Sequence, residues 1–399
     1  MNSEKFIKNK TALITLIAAC AVVLISLGVR QTFGLFFMDF KNDLDISITQ
    51  SGLAIGIQML MWGLTGPIFG AIADKYGGHK AICLAFVFYI LGIYFLYAGP
   101  NTGIFFQIDL GLLVGIGLGG TAISIPMSIV GKHFPLSNRT IAMSLVTAVG
   151  SFGYFISPMY TSYSLINNGW IHTLYIFTIF LVIGLVIAFF VRSPSLSESI
   201  EKPSDQNTMS ALKEAFKTKS YVLLTAGFFV CGFHIAFLAT HLPAYLSDQG
   251  LNPSVGTNVL ALIGLFNIAG SYYFGLWGGK FPKPHLLSLI YTGRALAIAA
   301  FVFLPISAVS AYIFAAVIGV LWLSTVPLTN GIVGSIFGVK NMSMLGGIVF
   351  FSHQIGAFLG VWLGGKLFDL FGSYDIVWTI SIVISLMAAV INFPIKESA

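Results

Sequence analysis

Read only for its apolar and polar positions, the chain is a succession of long apolar runs separated by short polar breaks. The runs fall near residues 11–38, 48–73, 81–98, 105–131, 141–163 and 172–191, and again near 220–246, 256–278, 285–305, 311–337, 342–366 and 374–394. A helix needs about twenty apolar residues to cross roughly 30 Å of hydrocarbon at 1.5 Å of rise each. These runs reach that length and lack the period-two alternation of a membrane barrel, so each is expected to be a transmembrane helix. One extended polar segment, from Arg192 to Ser220, separates six spans from six. It reads as a flexible linker followed by a short amphipathic helix from Met209 to Lys217. The pattern predicts an all-α membrane protein of twelve transmembrane helices: a six-helix bundle over 1–191, a cytoplasmic linker over 192–219 and a second six-helix bundle over 220–399.

Composition agrees, since 57% hydrophobic residues with 9% charged and 14% aromatic cannot be arranged as a water-soluble globule. The first run is too long for a signal-peptide core and has no small-residue cleavage site after it, so it is expected to be retained. A formal charge of +6 would suggest a polyanion partner in a soluble chain. Here the placement of the charges decides instead, and no nucleic-acid partner is expected. Lys5, Lys8, Lys10, Lys75, Lys80, Lys132, Arg139, the linker lysines, Lys280, Lys283, Lys340 and Lys396 all fall on one side of the predicted spans. The other side has only Lys41 and Lys366, beside Asp39, Asp43, Asp45, Asp248, Asp369 and Asp375. Positive loops stay inside, so both termini and the linker are expected in the cytoplasm, and the chain in the cytoplasmic (inner) membrane. The three cysteines, Cys20, Cys83 and Cys231, lie in apolar runs without metal-ligand spacing, and imply packing rather than a disulfide framework.

The loop after the second span recurs in the other half. GAIADKYGGHK from Gly70 and GLWGGKFPKPH from Gly275 both set a lysine five residues after a helix-ending glycine. With six plus six spans and a cytoplasmic linker, this resembles the major facilitator superfamily. Its signature between spans two and three is matched by Gly70, Asp74, Lys75 and Gly77, with Lys80 supplying a later charge; Gly78 stands where the family usually has arginine. The resemblance implies a gating role for Gly70, Asp74, Lys75, Gly77 and Lys80 as the halves rock. A tight turn whose charges anchor topology is the plainer alternative. VGIGLGG, from Val114 to Gly120, lets the fourth span approach its neighbours closely.

ISLGVRQTFGLFFM, from Ile25 to Met38, raises the functional question, because Arg30 lies well inside an apolar run. An unpaired guanidinium at mid-membrane costs roughly 2.5 to 3.5 kcal/mol on insertion scales. It could snorkel, brace two helices or face water, but an anionic cargo is the preferred counter-charge, since a guanidinium fork grips a carboxylate at two points. In the facilitator fold the spans of the two halves are related by rotation about the membrane normal. Aligning the first and seventh spans sets Arg30 level with Ala236 or Phe237, between His234 and His241, which are two helical turns apart and share a face. Asn267 lies near the middle of the eighth span, and His353 and Gln354 near the middle of the eleventh. The candidate substrate ligands are therefore Arg30, Gln31, His234, His241, Asn267, His353 and Gln354. The proton-coupling candidates are His234, His241 and Asp109, the histidines being equally readable as helix-to-helix bonds and Asp109 as an interfacial carboxylate. Arg294 in the peripheral ninth span reads as a structural pairing or helix brace.

RQTFGLFF, from Arg30 to Phe37, looks like the first-span segment of monocarboxylate transporters and oxalate:formate antiporters, and LFNIAGSYYFG, from Leu265 to Gly275, resembles the eighth-span pattern of the oxalate:formate group. There the asparagine matches Asn267, while the group's arginine falls on Ser271 and its eleventh-span lysine is absent. The resemblance implies a secondary carrier for a singly charged organic anion, a monocarboxylate in preference to a dianion, working by alternating access with a proton as co-substrate. The other classes left open are an exporter of amphipathic compounds and a non-transporting membrane receptor. No P-loop, nucleophilic triad or metal site occurs, so neither an enzyme nor a cofactor is expected, and the protein is expected to work as a monomer in the bilayer.

Overall fold

The computed structural model describes residues 10–100, 103–134, 136–192, 208–337 and 342–397. Most of the central linker, residues 193–207, lies outside them, as does the side chain of Asp74. Among the described residues the chain is all helix, with no strand. Eleven helical stretches are long and apolar enough to cross a membrane. One of them, Leu145–Ala188, is 44 residues long, about twice what a crossing needs. It bends at Gly169, where φ 78° and ψ 172° leave the helical region, so this stretch holds both the fifth and sixth spans, and the crossings among the described residues number twelve. The amphipathic helix runs from Thr208 to Lys217.

Side-chain chemistry explains why these helices stand in lipid. Large apolar residues lie on their outer surfaces: Ile17 is 60% exposed, Tyr163 66%, Val390 72% and Phe303 76%. On a water-soluble protein such a belt would be an aggregation surface; around membrane helices it is the lipid contact. Where helices meet each other, hydrophobicity gives no preference over lipid, and small residues permit the close approach that packing needs.

The chain divides into two compact units, Met1–Ile46 with Ile57–Lys202, and Ser47–Gly56 with Pro203–Ala399. Within the first, span one (Lys10–Leu44) packs on span five; a Cβ at Gly153 would lie 2.7 Å from the Leu24 carbonyl oxygen. Span three (Gly78–Ala98) packs against spans four and six. Span four (Gly103–His133) lies on span two, a Cβ at Gly115 being 2.7 Å from the Gln58 carbonyl oxygen, as the VGIGLGG stretch requires. Within the second, span seven (Lys219–Asp248) packs on span eleven (Met342–Phe371), span eight (Pro253–Trp277) on span ten (Ala308–Phe337), and span nine (Lys283–Phe303) on span twelve (Asp375–Asn392). One pairing scheme thus serves both units.

Three spans are interrupted near their middles. Span one is α-helical to Gln31, passes through a 3-10 turn at Phe33–Phe36 and resumes at Phe37. Span four carries a π-helical turn at Gln107–Leu113 and breaks at Ala122, where ψ is −165°. Span ten stops at Leu321 and restarts at Thr325. Proline accounts for the last two breaks: Pro126 and Pro327 each clash with the carbonyl four residues earlier, that of Ala122 and that of Leu323. Irregular backbone at membrane depth survives only where protein or a polar cavity satisfies it. Two of the interruptions hold the polar groups described next.

Candidate functional site

In the first unit, Arg30 occupies the last turn of the first α-helical segment of span one, where the helix dipole favours a cation. It is 7% exposed, so it does not snorkel to a membrane surface. Nη1 donates to Gln31 Oε1 at 3.3 Å and Nη2 to the soft acceptor Met59 Sδ at 3.2 Å. The guanidinium carbon stands 6.0 Å from the centroid of the Trp62 ring. The buried Tyr89 and Tyr154 phenols are its electrostatic neighbours, and Tyr89 is itself tied to span one by donating to the Ser26 carbonyl at 3.1 Å. No carboxylate stands within ion-pair distance of Arg30 among the described residues. Two buried donors are left over: Nε of Arg30 and Nε2 of Gln31 have no hydrogen-bond partner. A fixed positive charge thus sits in an aromatic and thioether setting with donor capacity unspent. Burying such groups is costly unless something pairs them.

In the second unit the predicted residues separate into two sets. The histidines tie helices together. His234 Nε2 lies 2.9 Å from the Ser381 carbonyl oxygen on span twelve, and its Nδ1 is buried without a partner. His241 Nε2 lies 2.7 Å from the Val361 carbonyl oxygen on span eleven. A carbonyl only accepts, so Nε2 carries the hydrogen and, in the neutral ring, Nδ1 accepts from the Tyr374 hydroxyl at 3.3 Å. His353 is stacked on Phe350 and hydrogen-bonds Gln354 Oε1 at 3.2 Å, leaving the buried Gln354 Nε2 unpartnered.

Asn267 and Arg294 form the other set, at the break in span ten. Asn267 Oδ1 accepts from the Leu323 amide at 3.0 Å and from Ser271 Oγ at 3.2 Å. Arg294 donates from Nε to the Leu321 carbonyl at 3.2 Å, and from Nη2 to the Leu321 and Trp322 carbonyls at 2.7 and 2.5 Å. Between them they pair two carbonyls and one amide of the break, so Arg294 is a helix brace. Sequence reasoning expected the brace without its target. The available signal was the recurrence of proline at Pro126 and Pro327, which marks spans four and ten as broken. Met59 and Trp62, which touch Arg30 from span two, carried no sequence signal of that contact.

The predicted gating loop is a tight turn between spans two and three. Gly77 has φ 100° and ψ 144°, a conformation reserved for glycine, and its amide donates to the Ala73 carbonyl at 3.0 Å. Gly70 lies two turns before Gly77 on the span-two helix, against Ile125, and Lys75 and Lys80 are exposed. Asp109 is buried in the π-helical turn of span four. One carbonyl of that turn, Leu110, accepts from Gln58 Nε2 at 3.1 Å. Among the described residues no cluster of three or more histidine, cysteine or acidic side chains could hold a metal ion.

Comparison with known proteins places this architecture. The uncharacterized MFS-type transporter YcxA of Bacillus subtilis is 23% identical over 379 residues, covering 91% of this chain and 90% of that protein. Monocarboxylate transporter 13 of Rattus norvegicus is 25% identical over 359 residues, covering 87% of this chain and 80% of the relative. Among solved structures, a bacterial homolog of the human lysosomal transporter Spinster superposes with a TM-score of 0.75 at 15% identity, covering 97% of both chains. The family model described as Major Facilitator Superfamily matches residues 18–361. With twelve apolar crossings and a family match over most of its length, the chain is a multi-pass membrane transporter and belongs to the Major Facilitator Superfamily.

Proposed function

We propose that this transporter moves a small organic anion, a monocarboxylate in the first instance, by alternating access with a proton as co-substrate, and that Arg30 with Gln31 binds the carboxylate. The single observation that carries the reading is the buried guanidinium of Arg30 with, among the described residues, no carboxylate within ion-pair distance, and a free donor on both it and Gln31. A carboxylate entering this setting receives the fork it geometrically matches and supplies the missing charge. The names of relatives support an acid as cargo: monocarboxylate transporters 13 and 12, and the sialic acid transporter NanX of Escherichia coli, 26% identical over 254 residues.

The remaining assignments belong to the same proposal. His234 Nδ1 and Gln354 Nε2, both buried with spare capacity, are the second-unit groups we retain as ligands. His241 and Asn267 serve their own unit's helices. Asp109 and His234 are retained as proton-coupling candidates. The loop of Gly70, Asp74, Lys75, Gly77 and Lys80 is assigned to gating, residues 1–191 and 220–399 to the two moving bundles, and the lysine-rich side to the cytoplasm, with a monomer as the working unit.

Uptake into proteoliposomes tests this reading, using labelled monocarboxylates and an imposed pH gradient. Saturable uptake driven by an alkaline interior and lost in Arg30→Gln is the expected result. Export of an amphipathic cationic dye, unaffected by Arg30→Gln, would replace it with the exporter reading.

A further inference from the structure

One end of the second unit gathers positive charge that its own acids do not answer. Span seven begins there at Lys219, span eight ends at Trp277, span nine begins at Lys283 and span twelve ends at Asn392. The chain after span twelve ties these ends together. Its Lys396 amide donates to Ser220 Oγ at 3.1 Å, and its Glu397 carboxylate accepts from Lys283 Nζ at 2.6 Å. The amphipathic helix Thr208–Lys217 belongs to the same end, since Thr218 alone separates it from span seven and Ala215 buries it against the core of the unit.

Two features of this end point to a ligand. The first is a cleft of about 580 Å³, lined by the loop from Gly278 to His285 and by Ile395 and Glu397 of the tail. The second is the charge beside it. Lys213, Lys217, Lys219, Lys280 and Lys396 are exposed, and their ammonium groups make no ion pair among the described residues. Glu397 is engaged by Lys283, which leaves Glu214 as the other acid on these segments.

Lysines at the ends of spans orient a chain in the bilayer, and that role accounts for their sign. It does not account for the large apolar rings held in the open next to them. Phe216 is 53% exposed, Phe281 56% and Phe393 62%, and the first two adjoin Lys217 and Lys280 in the chain. The His285 ring stacks on that of Phe393, with centroids 4.8 Å apart. A free polyanion offers such rings nothing. An anionic phospholipid offers a phosphate to the ammonium groups and an acyl chain to the rings, the pairing by which basic amphipathic segments hold a membrane surface.

We propose that this end of the second unit is a binding site for an anionic phospholipid. Lys280 holds the headgroup phosphate in the cleft, with Lys219 and Lys396 brought to the same end by the bond to Ser220. Phe281 and Phe393 take the acyl chains, and the helix Thr208–Lys217 lies on the bilayer surface with Phe216 turned into it. The inference rests on the chain being a membrane protein and not on the nature of its cargo.

Native mass spectrometry tests it, using the full chain in a mild detergent equilibrated with equal amounts of phosphatidylglycerol and phosphatidylcholine. The parent protein is expected to retain phosphatidylglycerol in preference. Each lysine beside an anionic headgroup contributes roughly fivefold in binding, so Lys219→Gln, Lys280→Gln and Lys396→Gln together are expected to lower that retention by at least about tenfold. Phe393→Ser is expected to weaken retention of both lipids and leave the headgroup preference in place. Equal retention of the two lipids by the parent would overturn the proposal, as would phosphatidylglycerol retention unchanged by the triple substitution. Displacement of the lipid by an equal concentration of inorganic phosphate would also overturn it, assigning the cleft to a free anion. Because the two lipids are compared on the parent protein, a triple variant that fails to fold does not obscure the result.

Discussion

A guanidinium keeps its proton under any condition the membrane offers, so the position of Arg30 is a statement about charge that only a counter-charge or polar solvation can answer. Its partners in the structure are an amide oxygen, a thioether and an aromatic face, all neutral. Replacing it by glutamine removes a charge-assisted fork worth about 1.5–3 kcal/mol per hydrogen bond. Uptake in Arg30→Gln is therefore expected to fall by roughly a hundredfold in kcat/KM at one such bond's upper value. Arg30→Lys keeps the charge without the fork and is expected to raise KM while retaining measurable transport. Equal loss in both variants would assign Arg30 to packing. The second arginine shows the contrast. Arg294 satisfies carbonyls that a broken helix exposes, so Arg294→Ala is expected to lower the melting temperature, by about 3 kcal/mol in stability, through unsatisfied buried acceptors.

At the scale of the element, interruptions concentrate the polar chemistry. Span ten breaks because Pro327 cannot continue it, and Asn267 from span eight takes the Leu323 amide that the break releases. Asn267→Ala leaves that partly buried amide without its acceptor, a cost of up to about 1–3 kcal/mol, whereas Asn267→Asp keeps the acceptor. Thermal denaturation should rank Asn267→Ala below Asn267→Asp. The turn between spans two and three depends on Gly77 in the same local sense. At φ 100° a β-branched side chain is strained by about 1–3 kcal/mol, so Gly77→Val is expected to reduce folded yield, measured by size-exclusion chromatography after extraction. The spans themselves were legible in the sequence because lipid imposes a length and an apolar composition on every crossing. Their breaks were half legible: proline announces that a helix stops, but not which neighbour fills the gap. Arg294 and Asn267 reach the same break from different spans, and that meeting depends on the rotation of each helix about its axis, which hydropathy does not encode. For the same reason the spacing of His234 and His241 did not reveal that they turn toward spans twelve and eleven.

At the scale of the molecule, one packing scheme is repeated in the two units of a Major Facilitator Superfamily transporter. Under the proposed function the cargo brings a negative charge, and a proton moving with it would neutralise that charge. Uptake is expected to rise with an alkaline interior and to collapse when a protonophore dissipates the gradient; uptake indifferent to the protonophore would remove the proton from the cycle. The most direct measurement, however, needs no gradient. Purified protein is titrated with a monocarboxylate while its thermal unfolding is followed, in parallel with Arg30→Gln. A ligand that binds the folded state raises the melting temperature with saturation, and the account predicts that rise in the parent protein and its absence in Arg30→Gln. The same saturable rise in both proteins would show that the carboxylate is held elsewhere and would contradict the role given to Arg30.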